Sequence, residues 1–208
     1  MKYKIVSDSS CDLNEGLKKQ MDVGLVPLKI DIDGETFVDD ENLNVDELLE
    51  NMKNSKTHVK TSSPSPGDFL KEYEEGENVF VVTISSQLSG TYNSAILAKN
   101  IIADSAEKFI HVFDSKSASI GETLISMKIF ELIQEKYDNL DIVNKIEQYI
   151  NEMKTFFILD NLDNLIKGGR LTKIAGHIAS FLSIKPIMGS DEEGNIRLVD
   201  KVREGLLI

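Results

Sequence analysis

The fold of this chain is decided by Val79-Phe80-Val81-Val82-Thr83-Ile84, by the loop Ser85-Ser86-Gln87-Leu88-Ser89-Gly90-Thr91-Tyr92, and by Asn93-Ser94-Ala95-Ile96-Leu97-Ala98. The first stretch is an unbroken apolar run of strand length, and the third has a helical pattern. A strand that leads through a polar loop into a helix is typical of βαβ units, which build parallel sheets. The loop precedes a helix N-terminus, where free backbone N–H groups favour an anion such as a carboxylate or a phosphate.

Strand and helix patterns alternate through the first 153 residues. Strands are predicted at 4–6, 24–32 and 109–113, and helices at 13–20, 45–52, 66–73, 121–137 and 140–153. The dipeptide Asp33-Gly34 predicts a two-residue hairpin turn. This alternation predicts an N-terminal three-layer α/β/α domain with a mainly parallel sheet.

Polar residues follow three of the predicted strands: Ser7-Asp8-Ser9, the 85–91 loop and Asp114-Ser115. The carboxyl ends of parallel strands meet at one edge of a sheet, so we expect these residues to converge there. A second hydroxyl-rich segment, Thr61-Ser62-Ser63-Pro64, is predicted to be a loop. Together the two segments favour a polar head group bound without a strong positive charge, although Ser and Thr also simply cap helices.

The pattern changes after Met153, where we place a domain boundary between residues 1–153 and 154–208. Strands are predicted at 155–160, 185–188 and 196–199, helices at 162–166 and 174–183, and a sharp turn at 167–170. These elements predict a two-layer α/β domain with a mixed sheet. Roughly 55 residues are few for an independent domain. The chain closes on the apolar residues 204–208, so we expect this second domain to be incomplete.

Composition excludes several classes of function. The chain has 208 residues, of which 41% are hydrophobic, and a formal net charge of −12, which repels nucleic acids and anionic lipid surfaces. Cys11 is the single cysteine, so an intrachain disulfide is excluded, and we expect a semi-buried thiol rather than a catalytic one. The N-terminus resembles a short strand rather than a signal peptide, and apolar runs of about 18 residues do not occur. We expect a cytoplasmic monomer without stable membrane insertion.

Catalytic and metal-binding motifs are weak. Ser89 lies on a strand-to-helix loop, but a nucleophile elbow needs glycine at the positions of Gln87 and Thr91. A small-molecule hydrolase or phosphotransferase that uses Ser89 therefore remains the alternative function. Nucleotide-binding glycine motifs do not occur, and the acidic runs 39–41 and 191–193 are typical of solvated turns. The three histidines are more typical of structural or exposed positions.

The favoured site is a pocket for an amphiphile, with hydroxyls at its mouth and an apolar tunnel behind. A hydrogen bond to a charged carboxylate contributes about 1.5–3 kcal/mol. Each buried CH₂ of an acyl chain contributes about 0.8 kcal/mol. For a long chain the tail would therefore determine affinity, and the head group would determine orientation.

Seven motifs, in this order along the chain, resemble one protein family. They are Ser7-Asp8-Ser9-Ser10-Cys11-Asp12-Leu13, Lys60-Thr61-Ser62-Ser63-Pro64-Ser65-Pro66, Ile84 to Tyr92, Asp114-Ser115-Lys116-Ser117-Ala118-Ser119, Lys167-Gly168-Gly169-Arg170-Leu171, Ile184-Lys185-Pro186-Ile187 and Lys201-Val202-Arg203. On these motifs, which span the whole chain, the protein is identified as a member of the DegV family of bacterial fatty-acid-binding proteins.

The resemblance implies a non-catalytic carrier that buries a long-chain fatty acid, such as palmitate, between two α/β domains and needs no other cofactor. It implies that Thr61 and Ser89 hold the carboxylate, with Ser62, Gly90 and Thr91 close by. In such proteins the carboxylate is presented to a separate fatty acid kinase catalytic subunit, which makes an acyl phosphate for phospholipid synthesis. Arg170, which we expect to be exposed on the Gly168-Gly169 turn, also matches a family position. Docking of the kinase and a structural ion pair are both open interpretations of it.

The chain departs from the family pattern in two places. Ser63 stands where the family often has Gln, which affects one contact at the mouth of the site. The family also continues beyond the equivalent of residue 208 with a late segment that contains a histidine. The resemblance therefore implies a truncated second domain and a lipid tunnel that is open at one side, with exposed apolar surface.

Overall fold

The computed structural model describes residues 2–55, 57–103, 108–171 and 184–203. The described strands are β1 Tyr3–Asp8, β2 Gly24–Val26, β3 Lys29–Ile32, β4 Glu35–Val38, β5 Lys60–Ser62, β6 Asn78–Thr83, β7 Phe109–Asp114, β8 Phe156–Ile158, β9 Ile184–Ser190 and β10 Ile196–Arg203. The described helices are α1 Glu15–Met21, α2 Val45–Asn54, α3 Pro66–Glu74, α4 Thr91–Ala103, α5 Ile120–Gln134, α6 Asn139–Glu152 and α7 Asp163–Lys167.

The main sheet has the strand order β2-β1-β6-β7, and all of its pairings are parallel. All six residues of β6 are buried, as expected for a central strand that is covered on both faces. Phe69 and Tyr73 of α3 pack on one face of the sheet together with α4. Ile125 of α5 and Ile146 of α6 pack on the other face. The predicted three-layer α/β/α arrangement is confirmed.

A small antiparallel sheet with the order β4-β3-β5 accounts for two differences from the sequence-based prediction. The single strand predicted at 24–32 divides at Pro27, which has no N–H to donate to a ladder. Its first half, β2, joins the main sheet, and its second half, β3, joins the small one. Thr61 lies in β5 opposite Ile30, so the predicted loop around Thr61 and Ser62 is wrong. The hairpin at Asp33-Gly34 is confirmed, with both residues at positive φ.

The remaining strands form what we call the C-terminal sheet, with the order β10-β9-β8. Its described pairings are antiparallel, whereas a mixed sheet was predicted. Met188 of this sheet packs with Leu162 and Leu171 in a separate small core. The predicted helix at 174–183 and the chain end at 204–208 lie outside the described residues. The boundary near Met153, just after α6, stays a prediction.

The turn between β9 and β10 packs against loops at the carboxyl edge of the main sheet. Ser85 Oγ donates a hydrogen bond to Gly194 O at 2.9 Å. Nearby, the hydroxyls of Ser117 and Thr155 are 2.8 Å apart. These contacts place the C-terminal sheet beside the 85–91 loop. Among the helices of the described ranges, none combines the length and the apolar character needed to cross a bilayer.

Candidate functional site

The 85–91 loop is held at its start by two carboxylates from neighbouring strands. Ile84, just after β6, donates its N–H at 2.8 Å to Oδ2 of Asp8, the last residue of the neighbouring strand β1. Ser86 donates from its N–H to Asp114 Oδ1 at 3.0 Å and from its hydroxyl to Asp114 Oδ2 at 2.5 Å. The predicted convergence of the polar residues after three strands is confirmed. Because the carboxylates accept these N–H groups, the first part of the loop has few donors left for a ligand.

Ser85, the first residue of the loop, holds the loop in place through its hydroxyl and its carbonyl. Its side chain is fully buried, and its Oγ accepts a hydrogen bond from Gln87 N–H at 3.2 Å while donating to Gly194 O. Its carbonyl accepts the N–H groups of Leu88 and Ser89. A Cβ on Gly194 would lie 2.4 Å from Ser85 Oγ and 2.9 Å from the Cα of Lys116. Only glycine allows the β9–β10 turn to approach the loop this closely.

The end of the loop presents the donors that remain. The hydroxyls of Ser89 and Thr91 are 2.8 Å apart, and Thr91 N–H donates to Ser89 Oγ at 3.3 Å. Ser89 is half-buried and Thr91 fully buried, at the first turn of α4. Within the described ranges, the N–H groups of Gly90, Tyr92 and Asn93 have no hydrogen-bond acceptor. These groups and the Ser89 hydroxyl form a neutral donor set suited to an anion.

The first hydroxyl-rich segment reaches this loop through Ser63. A Cβ on Gly90 would lie 3.3 Å from Ser63 Oγ, so the two segments are in contact at this point. Thr61 and Ser62 precede Ser63 on β5, and both are exposed. The structure therefore brings the two predicted segments into contact at Ser63 and Gly90, and Thr61 lies two residues before this contact on β5.

Arg170 is not the exposed residue that the sequence predicted. It is half-buried, and its Nε donates to Leu88 O at 3.1 Å while its Nη1 donates to Gly168 O at 2.5 Å. Its acceptors within the described residues are thus backbone carbonyls rather than a carboxylate. Arg170 connects the C-terminal part of the chain to the 85–91 loop.

The sequence-based interpretation missed a buried pair of acids at the carboxyl edge of the main sheet. Asp8 and Glu122 are both fully buried, and each has a carboxyl oxygen 2.6 Å from Ser10 Oγ. Burial raises the pKa of the Glu122 carboxyl well above its ordinary value, and the neighbouring Asp8 adds to this shift. In the sequence, Glu122 is only a first-turn acid that completes a capping box with Ser119, so no local signal points to the pair.

In the described ranges, Cys11, His58 and His111 are not hydrogen-bonded to the 85–91 loop, and His177 lies outside those ranges. Cys11 is buried rather than semi-buried, and burial raises the pKa of its thiol to about 11, which disfavours the thiolate near neutral pH. His111 lies on β7, 3.5 Å from Glu147, and His58 is exposed. In the part of the chain that the structure describes, no group of three His, Cys, Asp or Glu residues is arranged to hold a metal ion.

Comparisons with known proteins agree with the family assignment from the motifs. Residues 2–205 match the family model described as an uncharacterised protein of the DegV family. A DegV domain-containing protein of Streptococcus pneumoniae is 37% identical over 206 residues, which cover 98% of this chain and 73% of that protein.

Solved structures of two similar proteins contain fatty acids. A DegV family protein from Ruminococcus gnavus, described with vaccenic acid, has a TM-score of 0.92 and 42% identity, covering 97% of this chain and 72% of that one. The fatty acid kinase (Fak) B3 protein of Streptococcus pneumoniae, loaded with linoleic acid, has a TM-score of 0.87 and 35% identity, covering 98% of this chain and 74% of that one.

Proposed function

Because this chain belongs to the DegV family, we propose that it is a carrier that binds a long-chain fatty acid and does no chemistry itself. The observation that carries this proposal is the similarity of the protein, over nearly its whole length, to solved structures that hold fatty acids. The neutral donors around Ser89 agree with it, since a carboxylate needs donors and a reversible carrier does not need a fixed positive charge.

We place the carboxylate where the two hydroxyl-rich segments meet. Thr61 and Ser89 are its proposed hydroxyl donors, and Ser62, Gly90 and Thr91 surround it. The N–H groups at the start of α4 that have no acceptor among the described residues support this placement, because they leave positive potential at the same turn. The acyl chain is proposed to lie between the 1–153 and 154–208 parts, where burial contributes about 0.8 kcal/mol per CH₂.

The bound carboxylate is proposed to be presented to the catalytic subunit of a fatty acid kinase, which forms the acyl phosphate. The similarity to the Fak B3 protein supports this step. Arg170 is a candidate for organising the presented surface, because its bond to Leu88 O holds the same loop that carries Ser89.

The hydrolase alternative requires a base beside Ser89. The hydrogen-bond partner of the Ser89 hydroxyl is the Thr91 hydroxyl, and among the described residues no histidine or carboxylate is bonded to it. This geometry supports the proposed role of Ser89 as a donor rather than as a nucleophile.

Native mass spectrometry of the protein purified from bacteria tests the carrier. We expect a retained fatty acid of about sixteen to eighteen carbons, a length at which burial of the acyl chain contributes most of the binding free energy. Addition of a fatty acid kinase catalytic subunit and ATP should then yield acyl phosphate. An empty protein that hydrolyses ester probes would refute the proposal and favour the enzyme.

A double variant tests the head-group assignment. Thr61→Ala with Ser89→Ala should abolish exchange of labelled fatty acid while the far-ultraviolet circular dichroism stays unchanged. Thr36→Ala is the matched control, since this exposed threonine on β4 hydrogen-bonds Asp31 within its own hairpin. Exchange that persists in the double variant would remove Thr61 and Ser89 from the site.

A further inference from the structure

The hydroxyl of Ser10 lies between two buried carboxyl groups and has one hydrogen to give. Its Oγ is 2.6 Å from Asp8 Oδ1 and 2.6 Å from Glu122 Oε1. A hydroxyl donates a single hydrogen bond, so the second of these short contacts needs a proton on a carboxyl group. Without that proton, two oxygens that can only accept would be held at hydrogen-bond distance.

The other partners of the two acids show where that proton resides. Asp8 accepts the N–H groups of Ile84, at 2.8 Å, and of Ser10, at 3.1 Å. Glu122 accepts one N–H, from Ser119 at 3.2 Å. Its other oxygen is 3.4 Å from Ser7 Oγ, which has a closer acceptor in Val82 O at 2.9 Å. Hydrogen bonds to a carboxylate stabilise its charge, and Asp8 receives more of them.

We propose that Glu122 is protonated at neutral pH and donates to Ser10 Oγ, that Ser10 donates to ionised Asp8, and that Asp8 thereby serves as the positioning residue for the 85–91 loop. The link to the loop is the bond from Ile84 N–H to Asp8 Oδ2, five residues before Ser89. The effect of this series of hydrogen bonds on fatty-acid binding rests on the proposed function, whereas the protonation of Glu122 does not.

The charged surroundings favour a neutral Glu122. Burial raises the pKa of Glu122 well above its ordinary value, and the neighbouring Asp8 adds to that shift. Burial also raises the pKa of Asp8, but hydrogen bonds from Ser10 and Ile84 lower it. Asp39, which accepts the Ser9 hydroxyl at 2.7 Å, adds only the smallest of the causes that act on Asp8. Asp12 accepts the Ser119 hydroxyl just before α5. The Sγ of Cys11 is 3.6 Å from the Oγ1 of Thr123, the residue after Glu122 on α5. These neighbours are acidic or neutral, so a second buried negative charge at Glu122 would be repelled rather than paired.

Infrared spectroscopy locates the proton without any ligand. At neutral pH we expect a carbonyl band of a protonated carboxylic acid in the unaltered protein. The band should vanish in Glu122→Gln, persist in Asp8→Asn, and persist in the exposed control Glu50→Gln. A band that survives Glu122→Gln, or one that vanishes in Asp8→Asn alone, would overturn the proposal.

The pH dependence of stability gives a second, independent test. In the range above the ordinary pKa of glutamate and below the raised pKa of Glu122, the folded state holds a proton that the unfolded state releases. The free energy of unfolding attributable to this group therefore falls as the pH rises through that range. Urea unfolding between about pH 5 and pH 8 should show a shallower decline in Glu122→Gln than in the unaltered protein. Equal slopes would contradict the assignment.

Fatty-acid affinity tests the positioning role. Glu122→Gln keeps a neutral donor and should bind within about twofold of the unaltered protein, whereas Asp8→Asn loses a charged acceptor and should bind about tenfold more weakly or worse. Unchanged affinity in a folded Asp8→Asn variant would overturn the role of Asp8. A lack of binding by the unaltered protein would instead overturn the proposed function, and the infrared band and the pH slope would still decide the protonation of Glu122.

Discussion

The two hydroxyl-rich segments meet at one place, but they are held in very different ways. The 85–91 loop is held by Asp8, Asp114, Arg170 and Gly194, and Ser85 at its start is fully buried. The 60–62 segment is a three-residue edge strand whose side chains are all exposed.

This difference indicates how the site is divided between a fixed part and an adaptable part. Segments with few buried contacts and exposed backbone hydrogen bonds open locally at low free-energy cost. We therefore expect the geometry of the 85–91 loop to be preformed and the β5 side of the site to adjust when a ligand enters. The following substitutions test this contrast, from the largest expected effect to the smallest.

Gly194→Ala should have the largest effect, because two penalties act at one position. Gly194 has φ +92, and an added Cβ would lie 2.9 Å from the backbone of Lys116. A strained backbone alone costs about 1–3 kcal/mol. We expect a greater loss than this in urea unfolding, together with faster proteolysis of the C-terminal sheet.

Gly34→Ala is the matched control, since Gly34 has φ +93 and nothing within 4 Å of an added Cβ. Its loss should reflect the backbone strain alone. Equal destabilisation by the two variants would show that the close approach of the β9–β10 turn does not stabilise the 85–91 loop.

Ser85→Ala should have the next largest effect. It removes a buried hydroxyl and leaves Gly194 O and Gln87 N–H without this partner, which costs about 1–3 kcal/mol. Ser62→Ala, at an exposed position of β5, should change the free energy of unfolding by less than about 0.5 kcal/mol. Comparable losses in the two variants would contradict the division into a fixed and an adaptable segment.

Gly90→Ala should have a small effect on stability and a visible effect on the exchange of labelled fatty acid. The added Cβ would meet Ser63 Oγ at 3.3 Å, so Ser63 must shift by a few tenths of an ångström. We expect a loss below about 1 kcal/mol and altered exchange of labelled fatty acid, both reduced when Ser63→Ala is combined with it. Additive effects in that double variant would show that the two segments are not in contact at this point.

The local pattern predicted much of the frame. The apolar run at 79–84 and the alternation around it were enough to predict a covered parallel sheet, and β6 is fully buried. The loop before α4 follows from the same pattern, and so do the N–H groups at the start of α4 that have no acceptor in the described part of the chain. The two hydroxyl-rich segments were predicted from their residue types. The structure places Ser63 of the first segment beside Gly90 of the second.

The misses concern residues whose role depends on distant partners. Pro27 directs two halves of one apolar run into two different sheets. Arg170 follows a turn that looks exposed, yet its guanidinium reaches Leu88 O. Glu122 fits an ordinary helix start, yet it meets Ser10 across the sheet edge. Neither local propensity nor periodicity contains these pairings.

The sequence by itself determined the kind of fold, the family and the chemical character of the site, because periodicity, turn residues and motifs are properties of neighbours in the chain. Only the tertiary structure decided which acid lies against which hydroxyl, which glycine admits a close contact, and which hydroxyl-rich segment is fixed. Those outcomes depend on packing between residues far apart in sequence, such as Ser85 with Gly194 and Asp8 with Ile84. Burial then changes the energetics of the groups that packing brings together, as it does for Glu122.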